Sequence, residues 1–383
     1  MNRHLVLMSL TFMFLFMGAG AAQPYLTPYF QSCGVSAKTA SIMFASVYFA
    51  FAATRFWAGY AAGYTGLILG IRLGAFTYAL YIAMVSLFPH PAATAAAALI
   101  WGMGAAVMWT SSSAYLLNTA PGGRYGYAAG VQAFFLQGGI IIGILVLARL
   151  IRPDTGFRTG LAFCTCACGI GALLAFTLVT SGASPARVTI MDGWRILSDR
   201  RYLPFAFYLL ATGTGYGIIL NTFNRFGRAQ FGDEAFRFTI ILFYVAGALG
   251  PLVAGVLSDR GRRGWYVAGG FAAGIAACLI ILVSKQAPVL AVASFLLGLM
   301  FQVVPSMVTA RIGDLTPQPL RPAAVAVIFL WRDIGVASAI LAGALFTPDA
   351  KGLDLAMKSY LPLFVLGGLT AAILTWREIQ REK

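Results

Sequence analysis

The sequence predicts an all-α polytopic membrane protein of about twelve transmembrane helices, arranged as two pseudo-symmetric six-helix bundles. Three observations carry the prediction. Of 383 residues, 60% are hydrophobic and 10% are charged, whereas a soluble chain needs roughly a quarter charged residues to face water. Apolar runs of about 20 residues, the length that crosses a bilayer core, recur along the whole chain. The chain also repeats itself weakly at a spacing of about 196 residues.

The apolar runs fall at 5–30, 37–61, 66–88, 92–118, 125–151 and 158–180, and then at 203–224, 235–257, 264–284, 287–312, 322–346 and 360–376. No alternation of period two persists, so strands do not compete. The first run follows Arg3 and His4 and holds a small-residue stretch, Ala19-Gly20-Ala21, that resembles a cleavage site. It continues through Pro24, Tyr25, Pro28 and Tyr29, and its repeat partner is internal, so a retained helix is expected.

In the repeat, Gly255-Val-Leu-Ser-Asp259-Arg260 falls opposite Gly59-Tyr-Ala-Ala-Gly63-Tyr64, Asp314 opposite Asn118, Arg321 opposite Arg124 and Gly335 opposite Gly138. Duplicated halves of apolar helices are the pattern of secondary transporters. The copies differ in charge, since the first half has Gly63, Tyr64 and Asn118 where the second has Asp259, Arg260 and Asp314.

The net charge of +15 sits in short loops between apolar runs. It therefore reads as membrane orientation, and no nucleic-acid partner is expected. More arginines fall on the side of the two termini, Arg55 and Arg72 being assigned there as flanks of the loop after the second run. Both termini are thus expected in the cytoplasm, with the chain in a bacterial-type inner membrane. Segment 183–202 carries Trp194, Arg195, Arg200 and Arg201 and reads as a cytoplasmic linker with an amphipathic piece. It divides an N-terminal six-helix bundle, 1–182, from a C-terminal one, 203–383.

These residues resemble the major facilitator superfamily. Gly255-Val-Leu-Ser-Asp259-Arg260-Gly-Arg262-Arg263 is similar to the loop that family places between helices two and three and often repeats between eight and nine, here one residue shorter. Ala310 through Asp314 and Arg321 to Gly335 is similar to the helix-ten to helix-eleven region of many bacterial members. The resemblance implies that Asp259 faces the N-terminus of helix five, just after Arg124. Arg260, Arg262, Arg263 and Arg321 would pair with Asp259 and Asp314 to latch a cytoplasmic gate that includes Gly255.

Arg332 and Asp333 stand within the eleventh run, and charges inside a membrane are functional candidates by default. Arg332 could attract an anion, Asp333 could carry a proton, or the two could brace the helix. Helices one, four, seven and ten line the path in the superfamily, which implies a substrate cavity of Gln23, Tyr25, Tyr29, Trp101, Trp109, Tyr216, Asn221, Asn224, Phe301 and Gln302. Gln132 and Gln137 of helix five join them. Amides, aromatics and one arginine suit a small organic molecule. The arginine that many proton-coupled members carry in helix four is missing near Ala98 and Leu99, and no acidic residue lies within the first six runs.

No enzyme, cofactor or metal is expected. Cys164, Cys166 and Cys168 lack His or carboxylate partners for a metal, and no phosphate-binding loop is present. The leading expectation is a transporter of a small organic solute, an anion among the candidates, acting as a monomer by alternating access, with protons or a counter-ion open as partners. The alternatives are efflux of hydrophobic compounds and a non-transporting scaffold or receptor on the same fold.

Overall fold

Lipid offers no hydrogen bonds, so a chain of this composition must satisfy its backbone within helices. The structure, a computed structural model, describes residues 2–88, 90–151, 156–179, 188–343, 346, 347 and 349–382. Residues 183–187 of the expected linker lie outside them.

The first expected span is α1 (Arg3–Leu15), a π-helical segment (Phe16–Gly20) and α2 (Ala21–Ser32). Then follow α3 (Ala37–Thr65), α4 (Leu67–Leu87), α5 (Pro91–Thr119), α6 (Tyr125–Leu150) and α7 (Arg158–Phe176). The linker contains α8 (Ile190–Ser198). The second half has α9 (Leu203–Ile218), a second π-helical segment (Ile219–Phe223), α10 (Asn224–Ser258), α11 (Arg263–Val283), α12 (Ala287–Leu315), α13 (Arg321–Gly343) and α14 (Ala350–Glu382). Among the described residues, 11 helices are long and apolar enough to cross a membrane, and α3, with 29 residues, stands where the second expected span falls.

Several boundaries differ from the sequence expectation, these three among them. The seventh span runs on to Gly232, whose φ of 77° breaks α10 into two helical pieces. Glycine adopts that left-handed conformation without a Cβ clash. The last helix begins ten residues before the expected 360, because the Asp349 carboxylate accepts the Gly352 N–H at 2.8 Å and caps its first turn. The third concerns α3, which continues past 61 to Thr65.

The chain divides into two compact units. The first comprises Met1–Gly123, Phe135–Ile196 and Thr316–Val327; the second comprises Arg124–Phe134, Leu197–Leu315 and Ile328–Lys383. The start of α6 thus belongs to the second unit and the start of α13 to the first.

Within each unit the same glycine contacts recur at the spacing of the sequence repeat. A Cβ on Gly102 would lie 2.3 Å from the Val47 carbonyl oxygen, and one on Gly298 would lie 2.2 Å from that of Phe243. Gly74 packs on Gly104 and Met108, and Gly270 packs on Met300 and Val304. Gly139 meets the Met13 carbonyl and Gly335 that of Leu210. Small residues at these crossings let backbones approach closely, which drives helix association in lipid.

In the linker, α8 tucks Gly193 and Ile196 inward and leaves Met191 and Trp194 exposed. The Trp194 ring lies 5.4 Å from that of Phe56. Asp192 caps its start, where the N–H and O–H of Thr189 hold the carboxyl below its usual pKa.

Replacing Gly102 or Gly298 with alanine is expected to lower stability by about 1–3 kcal/mol, the usual cost of overpacking. Thermal melts in detergent would register this as lower midpoints for both variants. Unchanged melting of either would show that its crossing tolerates a methyl group.

Candidate functional site

Two clusters of sequence-expected residues matter: polar loop groups and side chains within the spans. The loop cluster centres on Asp259, which ends α10. Its carboxylate accepts the N–H of Gly126 at 2.9 Å and of Tyr127 at 2.8 Å, in the first turn of α6. An anion there satisfies two orphan donors and complements the positive end of the helix dipole. A Cβ on Gly255 would lie 2.2 Å from the Gly126 carbonyl oxygen, so this crossing brings the start of α6 within reach of Asp259.

Of the four arginines the sequence offers to Asp259 and Asp314, Arg263 reaches both. It lies 3.0 Å from Asp259 and 2.7 Å from Asp314, and it also donates to the Ser258 hydroxyl at 3.0 Å. Asp259 and Arg263 stand at the two ends of the short turn between α10 and α11, which brings the two groups together. Arg262 pairs instead with Glu382 at 2.6 Å. Arg260 is exposed, and Arg124 lies 4.7 Å from the centre of the Tyr127 ring. Arg321 goes elsewhere: it donates to the Leu117 carbonyl at 2.8 Å, the Asn118 side-chain oxygen at 3.0 Å and the Thr316 carbonyl at 3.3 Å. It therefore caps the C-terminus of α5, where a cation complements the negative end of the dipole.

The second cluster lies inside the spans of the second unit. Gly213 of α9 packs against the Arg332 backbone of α13, and one turn on, Tyr216 stacks on Phe301 of α12 with ring centres 4.0 Å apart. Arg332 lies 3.4 Å from Asp333, and its guanidinium is 5.4 Å from the Phe329 ring centre. Neighbouring side chains diverge on a helix, but the length of arginine lets it bend back. The Arg332 side chain keeps 15% exposure against 4% for Asp333. Asn221 donates to the Ile340 carbonyl at 2.9 Å and leaves its own oxygen buried without a hydrogen bond. Asn224 accepts from Arg228 at 2.8 Å, and Gln302 is half-buried. Asn221 belongs to the π-helical segment, a geometry frequent at functional sites.

The first unit holds the other expected cavity residues. Trp109 donates to the Tyr78 hydroxyl at 3.0 Å and sits edge-on to Phe12 and Phe16. Trp101 is buried, with its ring 4.3 Å from that of Tyr81. Tyr29 is also buried and donates to the Val85 carbonyl at 2.9 Å. Gln23 and Tyr25 are half-buried. Gln137 keeps a buried side-chain oxygen without a hydrogen bond, and Gln132, in the second unit, a buried nitrogen.

Sequence reasoning missed Arg55. The sequence reads it as a flank of the loop after the second span, but it lies ten residues inside α3 and is 0% exposed. Its guanidinium sits 5.0 Å from the Phe51 ring centre and 3.4 Å from the Ala106 carbonyl. The signal was its position inside the apolar run 37–61, six residues before that run ends.

A sequence profile described as Major Facilitator Superfamily matches residues 8–240 and 230–383. No curated protein matches the chain. Among solved structures, the human organic anion transporter MFSD10 (TETRAN) is similar with a TM-score of 0.78 and 14% identity, over 96% of this chain and 99% of that one. The transporter FucP, in an outward conformation, is similar with a TM-score of 0.74 and 14% identity, over 96% of this chain and 98% of that one. At these identities the similarity establishes the fold.

Removing the Asp259 carboxylate strands two N–H groups and takes from Arg263 one of its two carboxylate partners. Asp259→Ala is therefore expected to destabilise by about 3–5 kcal/mol, as when one partner of a buried ion pair is lost. Arg262→Ala removes a more exposed pair worth under about 1 kcal/mol. Chemical or thermal denaturation of both variants in detergent tests the ranking, and equal losses would contradict it.

Proposed function

Because the chain belongs to the Major Facilitator Superfamily, a family of membrane transporters, we propose that it is a secondary transporter of small organic anions. Charge distribution carries this reading. Residues 1–153 contain no Asp or Glu, while Arg332 and Arg55 lie within membrane-spanning helices. A path whose embedded charges are mainly cationic attracts anions and repels cations. The similarity in fold to a human organic anion transporter supports the same class.

In this reading Arg332 is the anchor. Its contact with Asp333, at 3.4 Å, is long for a charge-assisted bond, so a substrate carboxylate can compete for the guanidinium. The Tyr216–Phe301 pair and the Asn221 side chain supply apolar and polar walls.

Alternating access supplies the cycle. The halves 1–182 and 203–383, joined by 183–202, are the moving bodies, with both termini in the cytoplasm of a bacterial-type cell. Asp259 with Arg263 and Asp314, and Arg321 on α5, form the cytoplasmic latch. The first half contributes no carboxylate to it, since Gly63 and Asn118 occupy the repeat positions.

Uptake into proteoliposomes of a panel of carboxylates and lipophilic cations, comparing wild type with Arg332→Gln, tests the reading. Loss of a charge-assisted hydrogen bond should weaken anion binding roughly ten- to hundred-fold in folded protein, with Arg332→Lys partly active. Transport of cations that ignores the substitution would favour efflux of hydrophobic compounds and leave Arg332 as a brace.

A further inference from the structure

We propose that α8 is a lipid-docking helix, seated in the headgroup layer of the bilayer beside the last turns of α3, with Arg195 on a phospholipid phosphate. The inference concerns the linker and is independent of the substrate.

The level of α8 in the membrane follows from its neighbours. α3 has 29 residues, about 44 Å of helix, against a hydrocarbon core of about 30 Å. Its end turns therefore pass beyond the core. The last turns carry Trp57, Tyr60 and Tyr64, all exposed, at a spacing that puts them on one face. Exposed Trp and Tyr rings mark the boundary between membrane and water. The linker lies along these same turns. A Cβ on Gly63 would meet the Val188 side chain at 2.8 Å. Two turns back along α3, the Phe56 ring lies 5.4 Å from Trp194 and 5.7 Å from Trp57.

Three sectors run along α8, because successive side chains on a helix stand about 100° apart. Gly193 and Ile196 face the protein: a Cβ on Gly193 would lie 3.2 Å from a Val327 methyl, and Ile196 is buried. One flank carries Ile190, Met191 and Trp194, of which Met191 is 59% and Trp194 55% exposed. The other flank carries Asp192 and Arg195, 3.7 Å apart. An apolar flank beside a polar one is the pattern of a helix lying in the plane of a membrane surface.

The occupant of the apolar flank is lipid because the surface continues. Through Phe56 the Trp194 ring joins Trp57 and the aromatic face of α3, and lipid covers that face. Arg195, with 76% of its side chain exposed, stands at the seam between the apolar and polar flanks. From a seam an arginine lays its stem on apolar surface and turns its guanidinium to the headgroups. The planar fork matches the oxygens of a phosphate.

The test is spin-label accessibility in nanodiscs of phosphatidylglycerol and phosphatidylcholine in equal parts. Nitroxides are placed at Met191→Cys and at Arg195→Cys, in the full chain with its five native cysteines replaced by serine. Oxygen concentrates in lipid and a nickel chelate in water, so the ratio of oxygen to chelate access should be severalfold higher at 191 than at 195. Adding Arg195→Gln to Met191→Cys should lower the ratio at 191. Equal ratios at the two labels would overturn the proposal and leave α8 a solvated linker helix. Protection of 191 from both probes would also overturn it, by showing protein on the apolar flank. A ratio at 191 that Arg195→Gln leaves unmoved would overturn the phosphate contact. Should the cysteine-free chain fail to fold, benzoylphenylalanine introduced at Met191 of the native chain serves instead. Illumination should then attach phospholipid at that position, and a chain that gains none would overturn the proposal.

Discussion

Helix ends are the constraint on which the rest of this structure depends. In lipid every carbonyl and N–H that a helix leaves unpaired must find a partner within the protein. Here distant side chains supply many of them. Asp259 takes the first turn of α6. Arg321 and Asn2 take the end of α5, and Arg72 takes the carbonyls of Phe176 and Leu178 at the end of α7. Arg225 and Asn221 take those of Gly343 and Ile340 near the end of α13. Cations at helix C-termini and an anion at an N-terminus also align with the helix dipoles. Arg321, Arg72 and Arg225 therefore work as helix caps.

That use of charge bears on the transport cycle. A cap formed between distant segments is a contact that can be exchanged, whereas a hydrogen bond inside a helix cannot be broken cheaply. Asp259 on α6 and Arg321 on α5 hold the two ends of one short connector, 120–124, from residues far along the chain. The glycine crossings do the opposite work. They repeat in both units with the same partners and hold helix backbones together at close approach.

Much of the fold was legible in the sequence because hydrophobic length and spacing are local signals. The repeat at Gly59 and Gly255 reappears as two matched crossings, on Pro322 and on Gly126. What the sequence withheld depended on long-range geometry. Arg321, Arg262 and Arg263 look alike as loop arginines, yet they cap a helix, pair with Glu382 and bridge two aspartates respectively. Arg55 lies inside the expected run 37–61 yet reads from the sequence as a loop-flanking charge, because nothing local distinguishes a buried arginine from one near a span end. The π-helical segments at Phe16–Gly20 and Ile219–Phe223 have no composition of their own to announce them.

The central claim is that this transporter moves organic anions by exchange of access between two sides. Counterflow tests it most directly: proteoliposomes loaded with an unlabelled carboxylate are placed in a trace of the labelled form. Alternating access to an anion site predicts transient accumulation of label above its equilibrium level, which a lipophilic cation inside fails to drive. Accumulation driven by the cation, with none for any carboxylate, would contradict the account.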